Sequence, residues 1–264
     1  MPKKRIIFTL LVEDGFFVLS RNFGLQKVGD LAWLKDFYDF ESILFSIDEL
    51  IVLDVSRGER NRAGFIKLLE DISRHCFMPI GAGGGVRSTK DVDLLLKSGA
   101  DKVVVNTALF TDEALVRELV HRLGAQCIVA SIDFMTSESD ATEVYVENGR
   151  VATGLSIEEG IDRAEALGVG EIYLTSINQD GTGRGFDVAA IARAGERVHC
   201  PLIASGGAGT FAHIADALRI PAVSAASTAN LFNFMSDNLT EARSFVIKSG
   251  TPLAQWPRMN VEFR

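Results

Sequence analysis

Eight apolar, β-branched runs recur along the chain, and segments of helical periodicity separate them. The helical pattern is clear at VDLLLKSGA (92–100) and ALVRELVHRL (114–123), where apolar residues return every three to four positions. Continuous apolar strands that alternate with helices are typical of a parallel sheet covered on its outer face. The eight predicted strands are RIIFTLLV, ELIVLDV, FMPIGAG, DKVVVN, QCIVASIDF, EIYLTSI, PLIASGG and PAVSAAS.

The two halves of the chain repeat each other at a constant offset of 122 residues. Pro79 aligns with Pro201 and Glu49 with Glu171. The same offset pairs Leu11, late in the first predicted strand, with Asp133 in the fifth. A site that could hold two facing carboxylates therefore holds one.

Eight regular units with an internal two-fold repeat predict a closed (β/α)8 barrel. We expect one barrel domain over residues 1–264, because chains of this length commonly form a single barrel. An open, doubly wound sheet is the alternative, but it would not require eight regular units. The alternating pattern around ENGR in residues 137–154 predicts a hairpin inserted after the fifth strand.

Composition and charge exclude several classes of partner. The net charge is −8 with no basic run, which argues against nucleic acid or an anionic membrane as the main partner. The apolar part of the N-terminal segment is too short for a signal peptide or a membrane span, so we expect a cytoplasmic protein. Cys76, Cys127 and Cys200 are isolated, which predicts buried, inert thiols and neither disulfides nor a zinc site.

In a (β/α)8 barrel the active site lies at the C-terminal ends of the strands, and here these ends are rich in glycine. GGGVRS (83–88) and SGGAGT (205–210) each end a strand and open a helix, a pattern typical of phosphate binding by backbone N–H groups. Asp133 follows IVASI, where a carboxylate can act as a general acid or base. Asp54 and Asp180 also lie at strand ends, where turn and cap roles compete with chemistry.

Charged residues stand at the starts of four predicted strands, where the opposite face of the barrel begins. Arg5, Glu49, Lys102 and Glu171 supply two positive and two negative groups. The functional interpretation is that these four residues form a ring of salt bridges across this face. The simpler interpretation is that they stabilise the barrel or are solvated.

These strings together resemble HisF, the cyclase subunit of imidazole glycerol-phosphate synthase, over nearly the whole chain. The resemblance implies that a HisH-like glutaminase docks at the bottom face and that its ammonia crosses the barrel to a phosphorylated ligand at the top, with no further cofactor or metal. It implies that Arg5, Glu49, Lys102 and Glu171 form an ammonia gate, and that Asp101 and Gln126 contact the glutaminase. The implied phosphate-binding residues are Gly85, Asn106, Thr107, Asp180, Gly181, Gly207, Ala226 and Ser227.

The chain departs from the HisF pattern at residues that carry chemistry. The family has an aspartate after the first strand, where this chain has Leu11, while the second catalytic aspartate is kept as Asp133. A lysine of the first loop is replaced by Leu19, and an acidic position after the sixth strand reads Asn178. Loss of one member of an acid–base pair typically lowers the rate by about 10² to 10⁴.

The Leu-Leu pair at 10–11 and the string SRHCFMPIGAGGG are more similar to the HisF-like branch called WbuZ. That resemblance implies amidation of a surface-polysaccharide sugar, with a separate sugar amidotransferase as a further partner. Two other hypotheses stay open. One is an authentic cyclase of histidine biosynthesis in which Asp14 substitutes for the missing carboxylate, and the other is a non-catalytic module that senses a phosphorylated ligand and activates the glutaminase.

Overall fold

The computed structural model of the protein describes residues 3–37, 46–229 and 238–254. Within them, eight parallel strands form a closed ring, because β7 pairs with both β6 and β10 and so closes the run that begins at β10. This confirms the predicted (β/α)8 barrel and excludes the open sheet. The described strands are β1 Arg5–Glu13, β2 Phe16–Arg21, β3 Gly24–Gly29, β4 Glu49–Asp54, β5 Ile80–Gly83, β6 Lys102–Val105, β7 Ile128–Thr136, β8 Thr142–Val146, β9 Val151–Ala152, β10 Glu171–Ser176, β11 Leu202–Ser205 and β12 Val223–Thr228. The barrel order is β1-β4-β5-β6-β7-β10-β11-β12.

Helices surround this barrel and pack their apolar faces against it. Several begin at a Ser, Thr or Asp whose side chain accepts a hydrogen bond from the first turn; Ser156 and Glu159 form a full capping box. The described helices are α1 Leu31–Phe37, α2 Arg62–Ser73, α3 Thr89–Lys97, α4 Ala108–Thr111, α5 Glu113–Leu123, α6 Ile157–Ala166, α7 Val188–Arg197, α8 Phe211–Arg219 and α9 Asn238–Lys248. Among the described helices, none is long and apolar enough to cross a membrane.

The sequence repeat is also a structural repeat. Ile7 of β1 pairs with Glu49 of β4, and at the same offset Val129 of β7 pairs with Glu171 of β10. The neighbouring pairs, β4 with β5 and β10 with β11, keep the offset as well. Leu11 and Asp133 therefore occupy equivalent positions in the two half-barrels.

Successive side chains of each barrel strand point to opposite faces, and this alternation divides the apolar core into two regions. One set of side chains packs between strands and helices, and the other fills the barrel interior. The interior set includes Ile7, Ile51, Val104 and Val129, each at most 4 % exposed. Because side chains alternate with a period of two, Arg5 and Thr9 share the inward direction of Ile7.

Two antiparallel hairpins extend the barrel at its C-terminal face. The predicted hairpin is present as β8 and β9, and β8 also pairs with the end of β7. A second hairpin, formed by β2 and β3, extends β1 in the same way and was not predicted. The two hairpins occupy equivalent places in the repeat, one beside Leu11 and one beside Asp133.

The three cysteines are half-buried, so the prediction of buried thiols is wrong in degree. Cys76 and Cys200 lie in the segments that precede β5 and β11. All three are free of disulfides. Burial raises the pKa of both Cys76 and Cys200, the latter to about 12 with Glu165 contributing, so neither thiol is activated as a nucleophile.

Candidate functional site

Four charged side chains form a ring at the N-terminal end of the barrel interior. Arg5 donates to Glu49 at 2.7 Å and also to Glu171. Lys102 contacts Glu49 at 2.9 Å and Glu171 at 2.9 Å, so each cation bridges both carboxylates. The sequence repeat explains why two carboxylates face the two cations, because Glu49 on β4 and Glu171 on β10 occupy equivalent positions in the two half-barrels.

Burial and ion pairing have opposite effects on the pKa values of the residues in this ring. Burial raises the pKa of Glu49, and Glu171 adds to this effect, whereas Lys102 and Arg5 lower it. Burial lowers the pKa of Arg5, but the two carboxylates more than compensate and the net pKa is raised. The two carboxylates are 2 % and 8 % exposed and the two cations 20–25 %, so the cations retain part of their hydration.

Beyond the ring, buried hydroxyl groups meet near the barrel axis. The Tyr173 hydroxyl lies 3.1 Å from Thr9, 2.9 Å from Ser205 and 3.1 Å from Ser227, and Thr9 lies 2.8 Å from Ser227. All four side chains are at most 7 % exposed. Burial raises the pKa of Tyr173, so its hydroxyl stays protonated. Neither Tyr173 nor Thr9 was predicted as a site residue, although the alternation of their strands directs both side chains into the barrel.

Asp133 lies in a cavity of about 600 Å³ at the C-terminal ends of the strands. Asn106 donates to one carboxylate oxygen at 3.1 Å, and Ser131 contacts the other at 3.4 Å. Burial raises the pKa of Asp133 to about 7, with Asp180 adding to the rise and the Ser131 hydrogen bond opposing it. Although partly exposed to the cavity, this carboxyl can therefore hold or release a proton near neutral pH, as a general acid or base requires.

Leu11 lines the same cavity, so the position at which the resemblance to HisF predicts a second carboxylate lies at this site. Asp14, the substitute carboxylate of the cyclase hypothesis, is exposed in the turn after β1 and is not among the residues that line either cavity. Leu19 lines a second cavity, of about 310 Å³. Asn178 is exposed, and its side chain accepts a hydrogen bond from Thr136.

The predicted phosphate-binding residues divide between the two cavities. Gly85, Asn106 and Thr107 line the larger cavity, and Gly181, Gly207 and Ser227 line the smaller one. Asp180 lines both, and its carboxylate accepts hydrogen bonds from Ser20 and from the Phe23 backbone. Ala226 lines neither cavity, because its side chain points outward and is buried between barrel and helices. Gly85 and Gly207 have φ of +62° and +108°, which favour glycine.

Four arginines also line the larger cavity, and no sequence motif predicted them. They are Arg57, Arg60, Arg87 and Arg150. Arg57 and Arg60 come from one loop after β4, Arg87 from the segment before α3 and Arg150 from the turn between β8 and β9. The fold brings these three loops, which are distant in sequence, to one cavity.

Asp101 and Gln126 lie at the end of the barrel that carries the ring. Both are exposed, immediately before β6 and β7. The Asp101 carboxylate accepts a hydrogen bond from the Ile80 backbone at 2.8 Å, and the Gln126 amide donates to Leu123. Among the residues that the structure describes, no cluster of His, Cys, Asp or Glu could hold a metal ion.

The fold and these cavities define a (β/α)8-barrel protein with two cavities at the C-terminal ends of its strands. The family model described as "Histidine biosynthesis protein" matches residues 5–236, and the chain belongs to this family, which includes HisF. The chain is 41 % identical over 261 residues to the "Putative imidazole glycerol phosphate synthase subunit hisF2" of Parasynechococcus marenigrum, covering 98 % of this chain and 97 % of that protein. It is 39 % identical over 254 residues to the imidazole glycerol phosphate synthase subunit HisF of Hyphomonas neptunium, covering 96 % and 99 %.

Proposed function

We propose that this HisF-like chain is the synthase-type subunit of a glutamine amidotransferase, which receives ammonia from a HisH-like glutaminase and channels it through the barrel. One observation carries the proposal: the charged ring and the cavity that holds Asp133 lie at opposite ends of one barrel interior. Asp101 and Gln126 lie on the ring's face and are exposed, as residues that contact a glutaminase must be.

The barrel interior suits a small neutral molecule. Beyond the ring come the apolar side chains of Ile7, Ile51 and Val129, and then the hydroxyl cluster around Tyr173. Ammonia is neutral, so apolar walls do not impose on it the desolvation cost that they impose on ammonium. Because the interior is close-packed, passage requires side chains to move.

The chemistry at the cavity is sugar amidation in surface-polysaccharide biosynthesis, in concert with a separate sugar amidotransferase. Leu11 supports this choice, because a leucine cannot transfer the second proton that cyclisation requires. The phosphate-binding loops then hold a phosphorylated ligand, with Gly85, Asn106 and Thr107 at one end and Gly181 and Gly207 at the other.

An imidazole glycerol-phosphate synthase cyclase of histidine biosynthesis is the second candidate. The names of the two relatives favour it, and so does Asp54. The Asp54 side chain lines the Asp133 cavity, and its Oδ2 has no hydrogen-bond partner. Asp54 rather than Asp14 would then supply the second carboxylate.

Binding of a HisH-type glutaminase, measured by calorimetry together with glutamine hydrolysis, tests the proposal. We expect one-to-one binding and faster hydrolysis with the native chain. Asp101→Lys and Gln126→Arg should each weaken binding at least tenfold, whereas Asp216→Lys, on the exposed outer face of α8, should not. Absence of binding by the native chain, or equal binding by the Asp101 and Asp216 variants, would contradict it.

A further inference from the structure

Asn106 is the first residue after β6, and its side-chain amide contacts two residues of the neighbouring strand β7. Its Nδ2 donates to the Ser131 carbonyl at 3.0 Å and to Oδ2 of Asp133 at 3.1 Å. An amide nitrogen carries two hydrogens, so both donors of this side chain are used on β7. A rotated amide would place its oxygen against the Ser131 carbonyl oxygen, with no hydrogen between the two acceptors.

Thr107 fixes this orientation of the amide. Its hydroxyl donates to Oδ1 of Asn106 at 3.3 Å, and the same hydroxyl oxygen accepts a hydrogen bond from the Glu147 backbone at 3.3 Å. Although Thr107 directly precedes α4, its side chain makes no capping hydrogen bond to that helix. A chain of hydrogen bonds therefore runs from the β8–β9 turn through Thr107 and Asn106 to Asp133.

These hydrogen bonds use every side-chain donor of Asn106 and Thr107. Phosphate oxygens are hydrogen-bond acceptors, so a side chain must donate in order to bind them. The amide hydrogens of Asn106 are donated to β7, and the hydroxyl hydrogen of Thr107 is donated to Asn106. The phosphate contact predicted for these two residues is therefore left to their backbone.

The two carboxyl oxygens of Asp133 are held unequally. Oδ2 accepts from Asn106 at 3.1 Å, whereas the partner of Oδ1 among the described residues is Ser131 at 3.4 Å, a long distance for a hydrogen bond between oxygens. The Asp133 side chain lines the larger cavity. Oδ1 is thus the oxygen available to exchange a proton with a ligand, and Oδ2 is the oxygen that fixes the direction of the carboxyl group.

We infer that Asn106 is a positioning residue: its amide fixes the carboxyl group of Asp133 at the cavity, and Thr107 fixes the amide. A general acid or base must be held within hydrogen-bond reach of the reacting atom by groups that are themselves fixed. The inference rests on the proposed function, in which Asp133 is the reacting carboxyl group. It deepens that function by assigning both side chains to the proton-transfer group instead of to a phosphate group.

A pH titration of the Asp133 carboxyl carbon, followed by NMR of protein with isotopically labelled aspartate, tests this inference. The resonance is assigned by its absence from the spectrum of Asp133→Asn. Asn106→Leu keeps the branched shape of the side chain and removes both donors. It should raise the pKa of Asp133 by at least about one unit, because the ionised carboxylate loses a hydrogen bond that stabilises it.

Two variants of Thr107 test the second step of the chain. Thr107→Val removes the hydroxyl and should raise the pKa of Asp133 by a smaller amount, because Asn106 stays but is no longer fixed. Thr107→Ser keeps the hydroxyl and should leave this pKa at its native value. Asn178→Leu is the matched control and should also leave the pKa unchanged. Asn178 accepts from the Thr136 backbone on the same strand as Asp133, but it is exposed and lies outside both cavities.

A pKa of Asp133 that keeps its native value in Asn106→Leu would overturn the inference, even if that variant unfolds more easily, because a purely structural role would lower stability alone. An equal rise in Asn178→Leu would overturn it as well. If Asn106→Leu does not fold, a difference in pKa between Thr107→Val and Thr107→Ser supports the inference, and no difference overturns it. The titration uses the barrel alone, so its outcome is independent of glutaminase binding, which tests the proposed function.

Discussion

Neutralising Glu49 with the isosteric change Glu49→Gln should destabilise the barrel far more than the same change at a surface glutamate. Glu49 is 2 % exposed, and its carboxylate contacts Arg5 at 2.7 Å and Lys102 at 2.9 Å. Removing one partner of a buried ion pair typically costs about 3–5 kcal/mol. Because the two cations are 20–25 % exposed and burial already disfavours ionised Glu49, we expect a loss of about 2–3 kcal/mol.

Glu113→Gln is the matched control. Glu113 also contacts two cations, Arg163 at 2.9 Å and Arg117 at 3.7 Å, but its side chain is 43 % exposed. Exposed pairs contribute about 0.2–1 kcal/mol, so this variant should lose less than about 1 kcal/mol. The two glutamates thus differ mainly in burial.

Urea unfolding at neutral pH, followed by circular dichroism, measures both free energies of unfolding. Added salt should shrink the effect of Glu113→Gln and leave most of the effect of Glu49→Gln, because salt screens buried charges less. A loss at Glu49 no larger than that at Glu113 would show that the ring does not stabilise the barrel, and the argument from burial and geometry would fail.

Three further predictions test other parts of the structure. Asp133 has a pKa raised from 3.8 to about 7, so its contribution to stability should be present below pH 4 and lost as pH rises through 7. Relative to native protein, Asp133→Asn should gain stability over that range by at most about 4 kcal/mol in thermal or urea unfolding, and a pH-independent difference would contradict the shift. Tyr173→Phe removes a hydroxyl with three buried hydroxyl neighbours and should cost about 1–3 kcal/mol in the same assay, whereas no loss would show that water or rearrangement satisfies them. Gly181→Ala would bring a Cβ atom against the Ser20 carbonyl, whereas Gly15→Ala, also at positive φ, has open space. The first should lower the melting temperature more, and equal shifts would argue against close packing of the β2–β3 hairpin on this loop.

The sequence repeat predicted more than the fold class. It correctly placed Glu49 and Glu171 in equivalent positions of the two half-barrels, and with them Leu11 and Asp133. It could also have predicted the β2–β3 hairpin, because the predicted hairpin after β7 has an equivalent place after β1. That inference was missed because residues 16–29 lack a clear turn signal of the Asn-Gly kind found at 148–149.

Other features of the site could not be predicted from the sequence. The convergence of Arg57, Arg60, Arg87 and Arg150 depends on three loops that are distant in sequence. The pKa of Asp133 depends on burial depth, which residue spacing does not give. The alternation of β12 directs the Ala226 side chain away from both cavities, so the predicted phosphate contact stays a prediction for its backbone alone.

In the proposed function, Asp133 is the one catalytic carboxylate of this chain, and Leu11 occupies the position of the second carboxylate that cyclisation requires. Steady-state cyclase activity with a bisphosphorylated ribonucleotide and ammonium salt, compared between the native chain and Leu11→Asp, tests it most directly. We predict turnover by the native chain at least about 10² lower than by the variant, the size of a lost acid–base contribution. Native turnover equal to that of the variant would contradict the claim and identify the chain as a cyclase of histidine biosynthesis.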